Sequence, residues 1–211
     1  MDGKCIMKND ILLADIGNTH FHIYDGKKVE HLSHDEAIEK YKNNTLYYIC
    51  VKEQLTHKIS DIKAWRDISY LMQIKGQYET MGIDRKALCL SHKEGIFVDA
   101  GSAITVDIMK EEAYKGGFIL PGLKGYIKTY ENISPALHTQ LDKGVSLEHL
   151  PTTTKEQISY GIIASIKALI DKHSDKKQLY FTGGDGEFLA TFFDDALYDD
   201  TLVFQGMMKV I

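Results

Sequence analysis

A strand-turn-strand pattern occurs twice in this chain, 84 residues apart, and it constrains the fold more than any other feature. In the first copy the apolar run Ile11 to Ala14 leads to Asp15. Gly17, Asn18 and Thr19 then read as a tight turn, and Phe21 to Ile23 alternate as a second strand would. In the second copy Ile96 to Val98 lead to Asp99, Gly101 follows at the same offset, and residues 103–107 alternate again. Asn18-Thr19 is answered by Ser102-Ala103, so each turn carries a hydroxyl, displaced by one position. A repeat whose period is half the chain signals two similar domains and no solenoid. Each turn has two readings. One is an ordinary hairpin whose Asp caps the turn. The other is a phosphate-binding hairpin, in which glycine admits an anion to the backbone, Asn and Thr add donors, and the carboxylate holds a cation nearby. Two such turns facing each other would clasp a polyphosphate without a P-loop, and no GxxxxGK[ST] motif occurs.

Counting the first hairpin, the first half reads βββαβαβ, which makes an α/β domain. Asp25-Gly26 reads as a turn into a third strand over Lys27 to Ser33. Ser33 or Asp35 caps a helix through Tyr41, and Leu46 to Val51 is a buried strand. Gln54 to Ala64 is weakly helical, Asp67 to Leu71 a short strand, and Lys86 to His92 helical. Ala113 to Leu120 is a strand, and Leu123 to Leu141 is helical with a break at Pro135. Ile158, Ile162, Ile166 and Ile170 mark one face of a helix that starts after Thr152 to Thr154. Gln178 to Thr182 is a strand, Glu187 to Leu197 a helix, and Thr201 to Ile211 a strand, alone or followed by a helical turn. The domain boundary is placed near residue 90, giving domains 1–90 and 91–211.

Among 211 residues, 44% hydrophobic and 26% charged, the net charge of −5 argues against a nucleic-acid partner. No apolar run approaches the ~20 residues that span a bilayer, and Met1 to Asp10 lacks the apolar core of a signal peptide. Cys5, Cys50 and Cys89 are odd in number, widely spaced and without CxxC, which fits reduced thiols in a cytoplasmic protein. His20-x-His22 and His31-x-x-His34 lack a third ligand at a zinc-like spacing and read as structural or solvated.

Three further motifs carry chemistry. Gly82-Ile83-Asp84-Arg85 sets an acid beside a guanidinium: either a surface ion pair, or a base for a hydroxyl next to a fork for a substrate anion. Gly183-Gly184-Asp185-Gly186 is either a plain strand-to-helix turn or a place for a flat ring and a phosphate. Gly116-Gly117 with Pro121-Gly122 is a close-approach loop or a kinked strand exit.

Taken in order with Leu202-Val203-Phe204-Gln205-Gly206, these motifs resemble those of type III pantothenate kinase, a member of the acetate and sugar kinase/Hsp70/actin superfamily. The resemblance covers nearly the whole chain after residue 10. It implies two ribonuclease-H-like, actin-like ATPase domains with an ATP cleft between them, usually as a homodimer. It also implies transfer of the ATP γ-phosphoryl to the 4′-hydroxyl of pantothenate, the first step towards coenzyme A. In this resemblance Asp15, Ile16, Gly17, Asn18, Thr19, His20, Phe21 and His22 hold the ATP phosphates, with Asp15 near magnesium. Ser102, Gly183 and Gly184 complete the ATP site, and Asp99 binds a monovalent cation, potassium or ammonium. Tyr78, Gly82, Ile83, Asp84, Arg85 and Thr154 bind pantothenate, with Asp84 as general base. Ser102 stands where the family usually has Thr, Thr153 replaces the common Asn before Thr154, and the interval from Tyr78 to the Gly-x-Asp-Arg element is shortened.

Overall fold

Apolar runs such as residues 96–98 and alternating stretches such as Phe21–Tyr24 produce two five-stranded sheets with one shared topology. The computed structural model describes residues 11–211, and the reading of Met1 to Asp10 lies outside them. In the first sheet β1 (Leu12–Ile16), β2 (Phe21–Tyr24) and β3 (Val29–Leu32) form an antiparallel meander, which β4 (Leu46–Cys50) and β5 (Trp65–Asp67) extend in parallel. The order is β3-β2-β1-β4-β5. In the second, β6 (Gly95–Ala100), β7 (Ala103–Lys110) and β8 (Ala113–Pro121) precede β9 (Leu179–Thr182) and β10 (Leu197–Tyr198), in the order β8-β7-β6-β9-β10. The duplication read from Asp15 and Asp99 is therefore a duplication of topology. Two compact units result: 11–93 with Glu112–Tyr114 and Asp200–Ile211, and Glu94–Glu111 with Lys115–Asp199.

Local chemistry explains the boundaries. Asp25 Oδ1 accepts from the amides of Lys27 and Lys28, both at 2.9 Å, and Gly26 takes φ +89°, closing the β2–β3 turn. Ser33 caps α1 (His34–Tyr41) through a capping box with Glu36. Glu111 and Glu112 both adopt positive φ between β7 and β8, as the tightest hairpins require. The longest helix, α5 (Thr154–Ser174), starts at Thr153 and buries Ile158, Ile162, Ile166 and Ile170 against β6, β7 and β9 residues such as Ile96, Val106 and Phe181. Its four-residue apolar spacing is the reason. The core of the first unit gathers Ala14, Ile16, Phe21, Ile23, Leu46 and Trp65 with Ala37 of α1 and Ile59 of α2 (Glu53–Ser60).

Four segments differ from expectation. The strand read at Asp67 to Leu71 lies earlier, as β5, and Ser69–Leu71 is a 3-10 turn. Buried Trp65, whose indole donates to the Tyr41 carbonyl at 3.1 Å, sets that register. The helix read from Lys86 begins sooner, as α3 (Ile83–Leu90), so Asp84 and Arg85 are helical and not in a loop. The helix read over Glu187 to Leu197 is only α6 (Gly186–Ala190), because the chain turns back to pair β10 with β9. The final segment is a helix, α7 (Leu202–Met208), and not a strand. A Cβ at Gly206 would collide with the Ala87 carbonyl, so α7 packs on α3 with backbones nearly touching. That packing buries Leu202, Val203, Phe204 and Met207 and overrides the strand-like composition of the run. Pro135 ends α4 (Leu123–Ile133) as expected, and a 3-10 turn, Pro135–Leu137, follows.

Candidate active site

In the first unit Asp15 sits inside β1, one residue before its end, and the loop Gly17–His20 crosses to β2. The Gly17 amide donates to the His20 carbonyl at 3.0 Å, closing the loop. Asn18, Thr19 and His20 are exposed, whereas Ile16 and Phe21 are buried in the core. A cross-strand row runs Asp15, His22, His31 on one face of the sheet. His22 Nδ1 lies 2.6 Å from His31 Nδ1, so one ring donates and the other accepts. Burial, and then the neighbouring His31, His20 and His34, push the His22 imidazole down from 6.5 to about 4. His22 is therefore neutral at physiological pH. His34 Nε2 meets the Gly17 carbonyl at 2.9 Å.

The acid-guanidinium pair lies elsewhere in this unit, on the first turn of α3. Gly82 is the N-cap, and a Cβ there would press on Asp84 Oδ1. Glycine thus lets the carboxylate fold over the helix start, where Oδ1 accepts from the Arg85 amide at 2.8 Å. The positive end of the helix favours that charge. Arg85 is only 7% exposed. Its Nη1 donates to Tyr78 Oη at 2.6 Å and its Nη2 to Tyr114 Oη at 3.3 Å, with the guanidinium 5.9 Å from the Tyr78 ring centre. Tyr114 had no signal in the sequence. It arrives because the Tyr114 amide donates to the Lys75 carbonyl at 2.8 Å, beside Gly76, whose φ of +83° leaves no room for a side chain against Tyr114. Two hydroxyls thus aim a buried guanidinium, and a fork so held is suited to a carboxylate.

In the second unit three separate motifs converge. The Gly101 amide donates to the Ala103 carbonyl at 2.9 Å, forming the turn that follows Asp99. The Gly122 amide donates to the Ser102 carbonyl at 3.1 Å, and a Cβ on Gly122 would overlap the carbonyl oxygens of Gly101 and Ser102. Gly183, at φ +84°, lies so close to Asp99 Oδ1 and the Ala100 carbonyl that a Cβ would clash with both. The Asp185 amide donates to the Ala100 carbonyl at 2.9 Å. Pro121-Gly122 and Gly183-Gly184 thus frame the Asp99 turn, whereas Gly116 and Gly117 lie within β8. Gly184 faces open space, Ser102 is exposed, and Thr154 is the exposed first residue of α5.

Among the described residues no group of three or more His, Cys, Asp or Glu could hold a metal ion. Asp15 and Asp99 are single hard-oxygen donors. A lone carboxylate of this kind does not cage a cation by itself; it supplies one oxygen of a shell completed from elsewhere. No helix among the described residues is long and apolar enough to cross a membrane.

Residues 65–176 match the family model described as type III pantothenate kinase. The chain is 41% identical over 202 residues to the type III pantothenate kinase of Helicobacter hepaticus, covering 95% of this chain and 98% of that one. It is 42% identical to that of Campylobacter jejuni, covering 95% and 96%. A solved C. jejuni structure described as a Baf family transcriptional activator superposes with a TM-score of 0.87 at 42% identity, covering 95% of this chain and 96% of that one. A Sinorhizobium meliloti protein described as a 2-dehydro-3-deoxygalactonokinase shares the fold at 10% identity, with a TM-score of 0.61 over 95% of each chain.

Proposed function

The chain belongs to the type III pantothenate kinase family, an enzyme family of ATP-dependent pantothenate phosphorylation in coenzyme A biosynthesis, and from that premise we propose how its own residues divide the work. Asp84 is the general base that takes the proton of the 4′-hydroxyl, and Arg85 binds the pantothenate carboxylate. The observation that carries this reading is the Arg85 guanidinium, buried, one residue from Asp84 in sequence, and held by the Tyr78 and Tyr114 hydroxyls. Gly82, Ile83 and Thr154 complete the acceptor side. Asp15 to His22 hold the ATP phosphates, and Ser102, Gly183 and Gly184 supply further nucleotide contacts.

Phosphoryl transfer needs positioning and charge neutralisation more than covalent chemistry, so two turns, one base and cations suffice. Asp15 would stand near magnesium held through the phosphates, and Asp99 would hold a monovalent cation, potassium or ammonium. These ions would neutralise charge on the transferring group. The family resemblance carries assembly as a homodimer into the same proposal.

The test is ADP release by purified protein with ATP, magnesium and potassium, with and without pantothenate. Pantothenate-dependent release is expected, and Asp84→Asn should lower kcat by about 10²–10⁴-fold with an unchanged circular dichroism spectrum. The transcriptional-activator description of the C. jejuni structure motivates a second reading, a nucleotide-binding regulator. ATP binding without pantothenate-dependent turnover would establish that reading and overturn the first.

A further inference from the structure

The phosphate turn of the first unit depends on a glycine, and glycine cannot anchor its own peptide plane. The peptide joining Gly17 to Asn18 is planar and trans, so its carbonyl and its N–H point in opposite directions. Whatever holds the Gly17 carbonyl therefore also decides where the Asn18 amide is presented. With a glycine on one side, rotation of that plane meets little steric resistance.

The Gly17 carbonyl is held by His34 Nε2, at 2.9 Å. A carbonyl oxygen only accepts, so Nε2 carries a proton and donates it to this bond. His34 is itself fixed. It is the first residue of α1, directly after the Ser33 cap, and Glu36 Oε2 accepts from the Ser33 hydroxyl at 2.6 Å and from its amide at 3.1 Å. Its ring stands edge-on to Phe21, centres 6.3 Å apart, and Phe21 is wholly buried. The next residue, Asp35, is engaged by Lys58 Nζ at 2.8 Å.

We propose that His34 is a positioning residue for ATP: from the start of α1 it locks the Gly17–Asn18 peptide with its carbonyl inward, which turns the Asn18 amide towards the nucleotide phosphates. The inference rests on the reading that the Gly17–His20 loop receives those phosphates. It adds a residue, 17 positions downstream, that no phosphate motif contains.

The experiment uses the full chain and steady-state kinetics in both substrates. His34→Phe keeps a ring against Phe21 and removes the donor, and His34→Gln restores an N–H donor at similar reach. His34→Phe should raise KM for ATP about tenfold, leaving KM for pantothenate and Tm near wild type, and His34→Gln should recover most of the loss. An unchanged KM for ATP in His34→Phe overturns the proposal. So does an equal rise in both KM values, or a fall in Tm that His34→Gln shares, since either marks a purely structural role. Thr19→Ala separates this proposal from the reading beneath it. If Thr19→Ala raises KM for ATP and His34→Phe does not, the phosphate turn stands and the role of His34 falls. If neither changes it, the phosphate reading of the loop fails as well.

Discussion

The two Asp-x-Gly turns occupy equivalent places in two sheets of the same topology, yet they are stiffened by different means. The turn after Asp15 has four residues between paired positions, is closed by Gly17 to His20, and is backed by side chains: His34 on the Gly17 carbonyl, and the His22–His31 pair in the row beside Asp15. The turn after Asp99 spans one residue fewer and is backed by backbone, with Gly122 and Gly183 from two other connections pressed against it. A duplicated hairpin can thus be held either by imidazoles that hydrogen-bond to it or by glycines that let neighbouring chain approach. The first solution is sensitive to protons, and the second to volume.

That contrast makes predictions of graded size. Gly183→Ala should be the most damaging, since its methyl meets Asp99 Oδ1 and the Ala100 carbonyl and its φ of +84° disfavours any side chain. A loss of about 4 kcal/mol is expected from strain plus overpacking, read by denaturant titration. Gly122→Ala keeps an ordinary φ and should lose about 3 kcal/mol through overlap with Gly101 and Ser102. If both variants unfold like wild type, backbone approach does not hold the second turn.

Protons should act on the first turn. His22 takes up a proton near 6.5 when unfolded but resists until about 4 when folded. Stability is therefore fully present above pH 6.5, is lost as pH falls from 6.5 towards 4, and levels off below that. Between pH 7 and pH 5 the loss is about 2 kcal/mol. Denaturation curves across that range should show this slope, and His22→Gln should flatten it. An equal slope in both proteins would place the titration elsewhere. The smallest effect is expected from Gly17→Ala, whose methyl would meet only the His20 carbonyl at 3.2 Å. A cost below about 1 kcal/mol would sharpen the contrast, and a cost matching that of Gly183→Ala would erase it.

Much of this architecture was legible because it rests on local rules. The Asp25-Gly26 turn, the Ser33 cap, the break at Pro135 and the isoleucine face of α5 all lie where short-range chemistry puts them. The misread segments were those whose state depends on distant partners. Leu202 to Gly206 has strand composition but becomes helix because Gly206 fits against Ala87, far away in sequence. The helix read from Lys86 starts at Ile83 instead, in the segment against whose Ala87 and Leu90 the distant Gly206 packs. Tyr114 and His34 bear on the site through single hydrogen bonds across 29 and 17 residues, and no spacing rule reaches so far.

The sequence by itself determined the duplication, the place of both turns and the acid-guanidinium pair, because glycine, aspartate and apolar alternation act over a few residues. Only the tertiary structure decided what holds each turn. Anchoring a carbonyl or excluding a side chain depends on which strangers in sequence become neighbours in space. The Asp-x-Gly element at residue 15 is thus written in the chain, and the imidazole that steadies it is supplied by the fold.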